Sequence, residues 1–230
     1  MVIPQLARSR RSACALLFLI MFVLATAPVP ARERKARGPA LDPSTAYAAF
    51  VLAEVAEAVE MRSPISIFRA PVDAARAVTL DGDQAIVYNP SFLESVAERA
   101  GTSWAAVSVI AHELGHHYYR HSTGRIADLP EEVARQRELD ADYFSGYALA
   151  RMGASLEDAE AAQNALFDET GTPTHPKSAE RLQAILAGWV DGYQGMTLSA
   201  RPTERIARVA LPPAGLSLGF APPVFPPGTW

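Results

Sequence analysis

The chain has 230 residues, about half of them apolar, enough for one ordinary domain with a sizeable core. Its formal net charge is −4 and no large basic patch stands out, which argues against nucleic acid as a partner. The one cysteine, Cys14, falls inside an N-terminal apolar run, so the rest of the chain has neither an internal disulfide nor a thiolate metal ligand.

That N-terminus reads as an export signal over residues 1–31. Arg8, Arg10 and Arg11 form a basic start, and Ala13 to Ala27 form an apolar run shorter than the roughly 20 residues of a membrane span. Val29-Pro30-Ala31 offers a small-residue site with cleavage before Arg32. The competing reading is a retained N-terminal anchor, because Arg32, Arg34, Lys35 and Arg37 follow the run and positive charge there disfavours translocation. Both readings put the protein on the export route, periplasmic or secreted, and the second adds membrane association through the N-terminus. Residues 32–43, charged and carrying Gly38 and Pro39, suit a linker.

A domain is expected over residues 44–195. Ser44 caps a first helix running to about Met61, with Tyr47, Val51, Leu52, Val55 and Val59 on its packing stripe. Short β-type stretches follow at Ile65–Phe68, Ala77–Leu80 and Ala85–Tyr88, the last two joined by Asp81-Gly82-Asp83 as a hairpin. The stretch Gln84–Asn89 is read either as an edge strand able to pair with an extended peptide or as an internal strand. A helix from Pro90 or Ser91 to Ala100 is stopped by Gly101, and the next runs from Ser103 toward His121 with Thr102 or Ser103 as cap. After a polar loop over Ser122–Pro130 come helices at Glu131–Met152, from Ser155 to about Phe167, and at Lys177–Trp189. Residues 196–230 form a Pro-rich tail, extended over the surface or disordered. The expected fold class is α+β, mainly helical, with a small β-sheet.

The chemistry concentrates in His112-Glu113-Leu114-Gly115-His116, an HEXXH pattern. At roughly 100° per residue, two histidines four apart face the same way and reach one ion, while Glu113 lies beside them as a base without being a ligand. Catalytic zinc keeps three protein ligands and an open position, so one more is needed. A third histidine six residues past His116 is absent, since Ser122 stands there, and His121 on a continued helix points roughly 180° from His112. Glu138-Leu139-Asp140-Ala141-Asp142 offers the alternative. Glu138 is assigned as the third ligand, and Asp142, four residues on and sharing its face, as the group that orients a ligand histidine. His117 and His121 are read as partners of nearby acids or as surface residues. Tyr118, Tyr119, Tyr143 and Tyr147 are read as core or rim aromatics.

HELGHH, followed by ELDAD and then His175-Pro176 with Arg181 a few residues on, resembles the gluzincin metallopeptidases of the HtpX and CaaX-prenyl-protease type over roughly residues 44–190. The resemblance implies a zincin-like domain with one Zn2+ on His112, His116 and Glu138, and Glu113 as general base. Unlike membrane-embedded members, this chain has no internal apolar span of about 20 residues, which sets it apart as a soluble, exported relative. His175 is a catalytic candidate, as an oxyanion donor or a temporary fourth ligand, with a plain loop histidine as the alternative. Arg181 is open to an oxyanion role or to pairing with Asp142 or Glu138. The expected activity is that of an exported zinc-dependent endopeptidase acting on protein or peptide substrates. A catalytically silent peptide-binding or chaperone-like module and a non-peptidase zinc hydrolase are the alternatives.

Overall fold

The computed structural model describes residues 45–121, 129–166, 168–172 and 174–209. The expected signal or anchor, the linker, Ser44, most of the loop after His121 and the tail beyond residue 209 lie outside the described residues. The described chain is mainly helical with one small mixed sheet, an α+β arrangement. Among the described residues no helix is long and apolar enough to cross a membrane.

Helix α1 (Thr45–Ala58) leads into strands β1 (Ser66–Arg69), β2 (Ala75–Leu80) and β3 (Asp83–Tyr88). β2 and β3 form the antiparallel hairpin, and β1 adds parallel to the other side of β3, giving the order β1-β3-β2. The stretch at Gln84–Asn89, considered above as an edge strand, is therefore the middle of the sheet, and β2 is an edge. Sequence order alone makes β3 the hairpin partner of β2. Only the parallel docking of β1 makes it internal.

α2 (Pro90–Ala100) starts on the Asn89 side chain, which accepts from Ser91 N–H at 3.0 Å. α3 (Trp104–Tyr118) starts on Thr102, whose Oγ1 accepts from Trp104 N–H at 3.3 Å, while Ser103 makes no side-chain cap. α3 is central, with Trp104, Val107, Ile110, Ala111 and Leu114 all in the core beside Val51, Val55, Ile86, Phe144 and Ile185. A helix enclosed this completely has no solvated face to define a strong amphipathic stripe.

α4 (Glu131–Met152), α5 (Leu156–Ala165) and α6 (Ser178–Tyr193) complete the main body, with α6 running on past Trp189. α4 is gripped on two sides at near-backbone distance. On one, a Cβ at Gly115 of α3 would meet Phe144 Cβ at 3.0 Å and Ala141 Cα at 3.1 Å. Ser145 Oγ also donates to the Ser108 carbonyl at 3.1 Å. On the other, Gly146 lies against the Ile185 carbonyl and Gly188 against the Tyr143 carbonyl, both too close for any Cβ. At Gly192 a Cβ would stand 2.5 Å from the Tyr147 carbonyl oxygen.

Residues 196–209 pack back on this body. Met196 N–H bonds the Asp191 carbonyl at 2.9 Å, Tyr147 OH donates to the Met196 carbonyl at 2.8 Å, and Tyr119 OH donates to the Ser199 carbonyl at 2.9 Å. A short helix α7 (Pro202–Ile206) then delivers Arg205 to Asp191, a buried carboxylate that also accepts from Tyr143 OH at 2.6 Å. The start of the expected tail thus belongs to the domain. Prolines there read as a loss of periodicity, yet Pro202 sits at the first turn of α7, where its missing N–H costs nothing.

Gly188→Ala is expected to lower stability by about 3 kcal/mol, because the helices must separate to admit the methyl group. A urea titration reads this as a lower midpoint at unchanged slope; an unchanged midpoint would remove the close crossing as a requirement.

Candidate metal centre

α3 carries His112, Glu113 and His116, α4 carries Glu138 and Asp142, α6 carries Arg181, and the turn before α6 carries His175. Burial of Ala141 and Ala148 of α4 against α3 leaves Glu138 and Asp142 aimed across the interface at the two histidines. His112 and His116, one turn apart, bring their Nε2 atoms to 3.2 Å. Glu138 closes the triangle, Oε2 at 3.4 Å from His112 Nε2 and Oε1 at 3.5 Å from His116 Nε2.

Those three separations test the fit of an ion. Tetrahedral coordination with bonds near 2.0–2.1 Å requires donor atoms about 3.3 Å apart; each histidine nitrogen stands near that distance from its own oxygen of Glu138, and one donor atom from each of the three residues lies within 4.8 Å of the other two. His112, His116 and Glu138 therefore form a group that could hold a metal ion. Two imidazoles and one carboxylate suit zinc, and the same donor set serves iron(II).

Each group is held from behind. His112 Nδ1 lies 2.9 Å from Asp142 Oδ1, and Arg181 forks onto both oxygens of Asp142, Nε and Nη2 each at 2.7 Å. Of the roles open to Arg181, pairing with Asp142 is the one its geometry occupies. Arg135 fixes the turn bearing His175, donating to the Thr172 and His175 carbonyls at 3.2 and 3.3 Å and pairing with Glu180 at 2.8 Å. His175 is not one of the three grouped residues but borders them through Glu138. Its side chain is about half exposed, with Nδ1 3.4 Å from Glu138 Oε2.

Glu113 is buried beside the triangle, and its Oε2 accepts the Ala77 N–H at 2.7 Å. Even-numbered residues of β2 are the ones bonded into β3, as the Asn89 N–H to Ala74 carbonyl bond at 2.7 Å fixes the alternation. The odd residues Ala75, Ala77 and Thr79 direct their amides to the open edge, on the side of the metal group. His117, four residues after Glu113, also reaches the sheet, buried, with Nε2 2.8 Å from the Ala85 carbonyl oxygen. It ties α3 to β3. His121 does not follow the direction expected from a continued helix: its Nδ1 lies 3.2 Å from His116 Nδ1.

The electrostatics separate the two histidines. Burial opposes charge on His112, but Asp142 and then Glu138 outweigh it and push its pKa up to about 10. Burial, reinforced by the charge on His112, pulls His116 down to about 3. Burial works against ionised Glu138, yet hydrogen bonds from His112 and His175 hold it far below the usual carboxylate range. Burial pushes the Glu113 carboxyl up, partly offset by His112.

No protein-family model, no characterised protein and no solved structure matches the chain. The geometry stands alone.

The raised pKa makes His112 a proton carrier in the metal-free fold. Its contribution to stability is complete below its ordinary value near 6.5 and is lost as pH rises through about 10. Chelator-treated protein should therefore melt at a lower temperature at pH 9.5 than at pH 7, and the His112→Gln variant should lose that part of the slope. An ion must displace the same proton, so zinc affinity measured by chelator competition should rise about tenfold per pH unit between pH 6 and 8.

Proposed function

We propose that the chain is an exported zinc-dependent endopeptidase of zincin-like architecture. The single observation that carries this reading is the conjunction at one place of the His112–His116–Glu138 triangle and the Glu113 carboxylate bonded to an open strand edge. A site made only to hold an ion needs no acid–base group beside it. The address rests on the N-terminal basic and apolar segments, residues 1–31.

His112, His116 and Glu138 would hold the zinc, which when bound supplies a Lewis acid for the scissile carbonyl and makes water nucleophilic near neutral pH. The remaining work falls to the chain. Asp142, itself fixed by Arg181, keeps His112 Nε2 turned toward the triangle by engaging Nδ1. Glu113 accepts a proton from the attacking water on its carboxylate and returns it to the departing nitrogen, which leaves as a neutral amine instead of an amide anion. The Ala77 N–H holds one oxygen of that carboxylate in place, leaving the other for proton transfer. Burial raises the Glu113 pKa and so strengthens it as a base.

The free edge of β2 supports a peptide over a small molecule as substrate. Amides of Ala75 and Thr79 and the Ala77 carbonyl are oriented to receive an extended backbone laid antiparallel beside the metal group. His175, half exposed at the rim and anchored only through its backbone and Glu138, is the side chain placed to meet the carbonyl oxygen as it gains charge.

Glu113→Gln tests the reading. With an unfolded protein as substrate and zinc supplied, fragments counted by mass spectrometry should fall at least 100-fold, with zinc content and melting temperature retained. Metal analysis of the same samples decides between zinc and iron. Zinc and peptide bound at full occupancy with no cleavage by either form would replace the peptidase with a silent peptide-binding module.

A further inference from the structure

His121 is one residue short of the position six past His116 where a third histidine ligand would stand, and on an unbroken α3 it would point away from His112. The chain turns back instead. α3 ends at Tyr118, and Arg120 adopts left-handed backbone at φ 60°. The His121 N–H then reaches the His116 carbonyl at 2.7 Å and the Arg120 N–H reaches that of His117 at 3.0 Å. Together these bonds form the paired helix-closing pattern that usually places glycine at the left-handed position. A residue with a side chain there costs about 1–2 kcal/mol of backbone strain, and α1 closes in the same way on Glu60 at φ 56°.

What it positions is an imidazole against the outer nitrogen of a ligand. His121 Nδ1 lies 3.2 Å from His116 Nδ1, and its Nε2 faces Asp140 Oδ2 at 3.7 Å. Tyr119 stacks on the His121 ring at 5.7 Å between centroids, and Arg137 Nη1 holds the His121 carbonyl at 3.0 Å. The ring thus has neighbours on three sides, and its backbone is held by Arg137. We propose that His121 is a positioning residue for the metal centre, setting the tautomer and orientation of His116.

The proton count follows from the geometry. His116 presents Nε2 to the triangle, and a ligand nitrogen must carry a lone pair, so its proton sits on Nδ1. That N–H donates to His121 Nδ1. His121 then carries its own proton on Nε2, on the side of the Asp140 carboxylate. The two ligand histidines are therefore supported unequally: His112 by an anionic carboxylate and His116 by a neutral ring. A carboxylate partner makes the ligand imidazole a stronger donor than a neutral one does. Neutral support of His116 also avoids adding a fourth acid to a centre that already holds Glu113, Glu138 and Asp142 against one Arg181.

This inference rests on the metal-site reading above, and the test separates the two. Zinc affinity of the full chain is measured by chelator competition for the unmodified protein, His121→Phe and His121→Asn. Phenylalanine keeps a ring against Tyr119 but offers no acceptor; asparagine places an oxygen near the Nδ1 position. The expected result is a 10- to 100-fold weaker zinc dissociation constant for His121→Phe, and recovery to within about threefold for His121→Asn. In the metal-free full chain, nitrogen NMR should show the His116 Nδ1 proton protected from exchange, with protection lost in His121→Phe. Zinc binding by the unmodified chain with both variants within twofold of it overturns the positioning role alone, as does equal weakening by both variants. An unmodified chain that takes up no zinc overturns the metal reading and this inference together.

Discussion

Everything in this protein depends on how closely α4 can lie between α3 and α6. The three helices supply all the groups of the candidate centre except His175, and only glycine-scale side chains allow the observed approach. Gly115 faces Ala141 and Phe144 on one side; on the other, Gly146 of α4 meets α6 backbone and Gly188 of α6 meets α4 backbone. The glycine of HELGH is thus a packing residue within the motif. With larger side chains at these crossings, Glu138 would stand too far from His112 and His116 to complete a triangle with edges near 3.4 Å.

Close packing also concentrates charge in a place with little water. Glu113, Glu138 and Asp142 are buried within one small region, with Arg181 as a permanent counter-charge. Taking carboxylates out of water is expensive unless each finds partners. Here the Arg181 fork, the Ala77 amide and the histidine nitrogens supply them. The arrangement leaves the metal-free site with a net pull on cations, which is visible in the raised affinity of His112 for a proton. A divalent ion answers the same field more fully than a proton does.

The position of the sheet gives the centre its direction. β2 is the edge next to α3, and its outward amides run past Glu113. An extended backbone laid on that edge would bring an amide bond alongside Glu113, so in the proposed peptidase one strand would both orient the base and hold the substrate. The segment following α6 closes the far side, through Tyr119, Tyr147 and the Arg205–Asp191 pair. Because Tyr119 also stacks on His121, the packing of that segment extends to the back of the His116 ring.

Much of this was legible in the chain alone. The helices follow from apolar spacing and from cap residues such as Thr102 and Ser155, because those signals act within one turn of backbone. The pairing of His112 with His116, and of Glu138 with Asp142, is a property of helical periodicity and needs no tertiary information. The mainly helical α+β class follows likewise. Contacts between elements were beyond local reading. β3 became internal only when β1 docked beside it, and residues 196–209 packed because Asp191 and Tyr147 wait for them on other helices. His121 was placed by one left-handed residue, Arg120, which breaks the periodicity that the sequence reading had extended. Local physics determined which side chains share a helix face; the distances at which backbones can approach decided which faces meet, and so which of those side chains form a site.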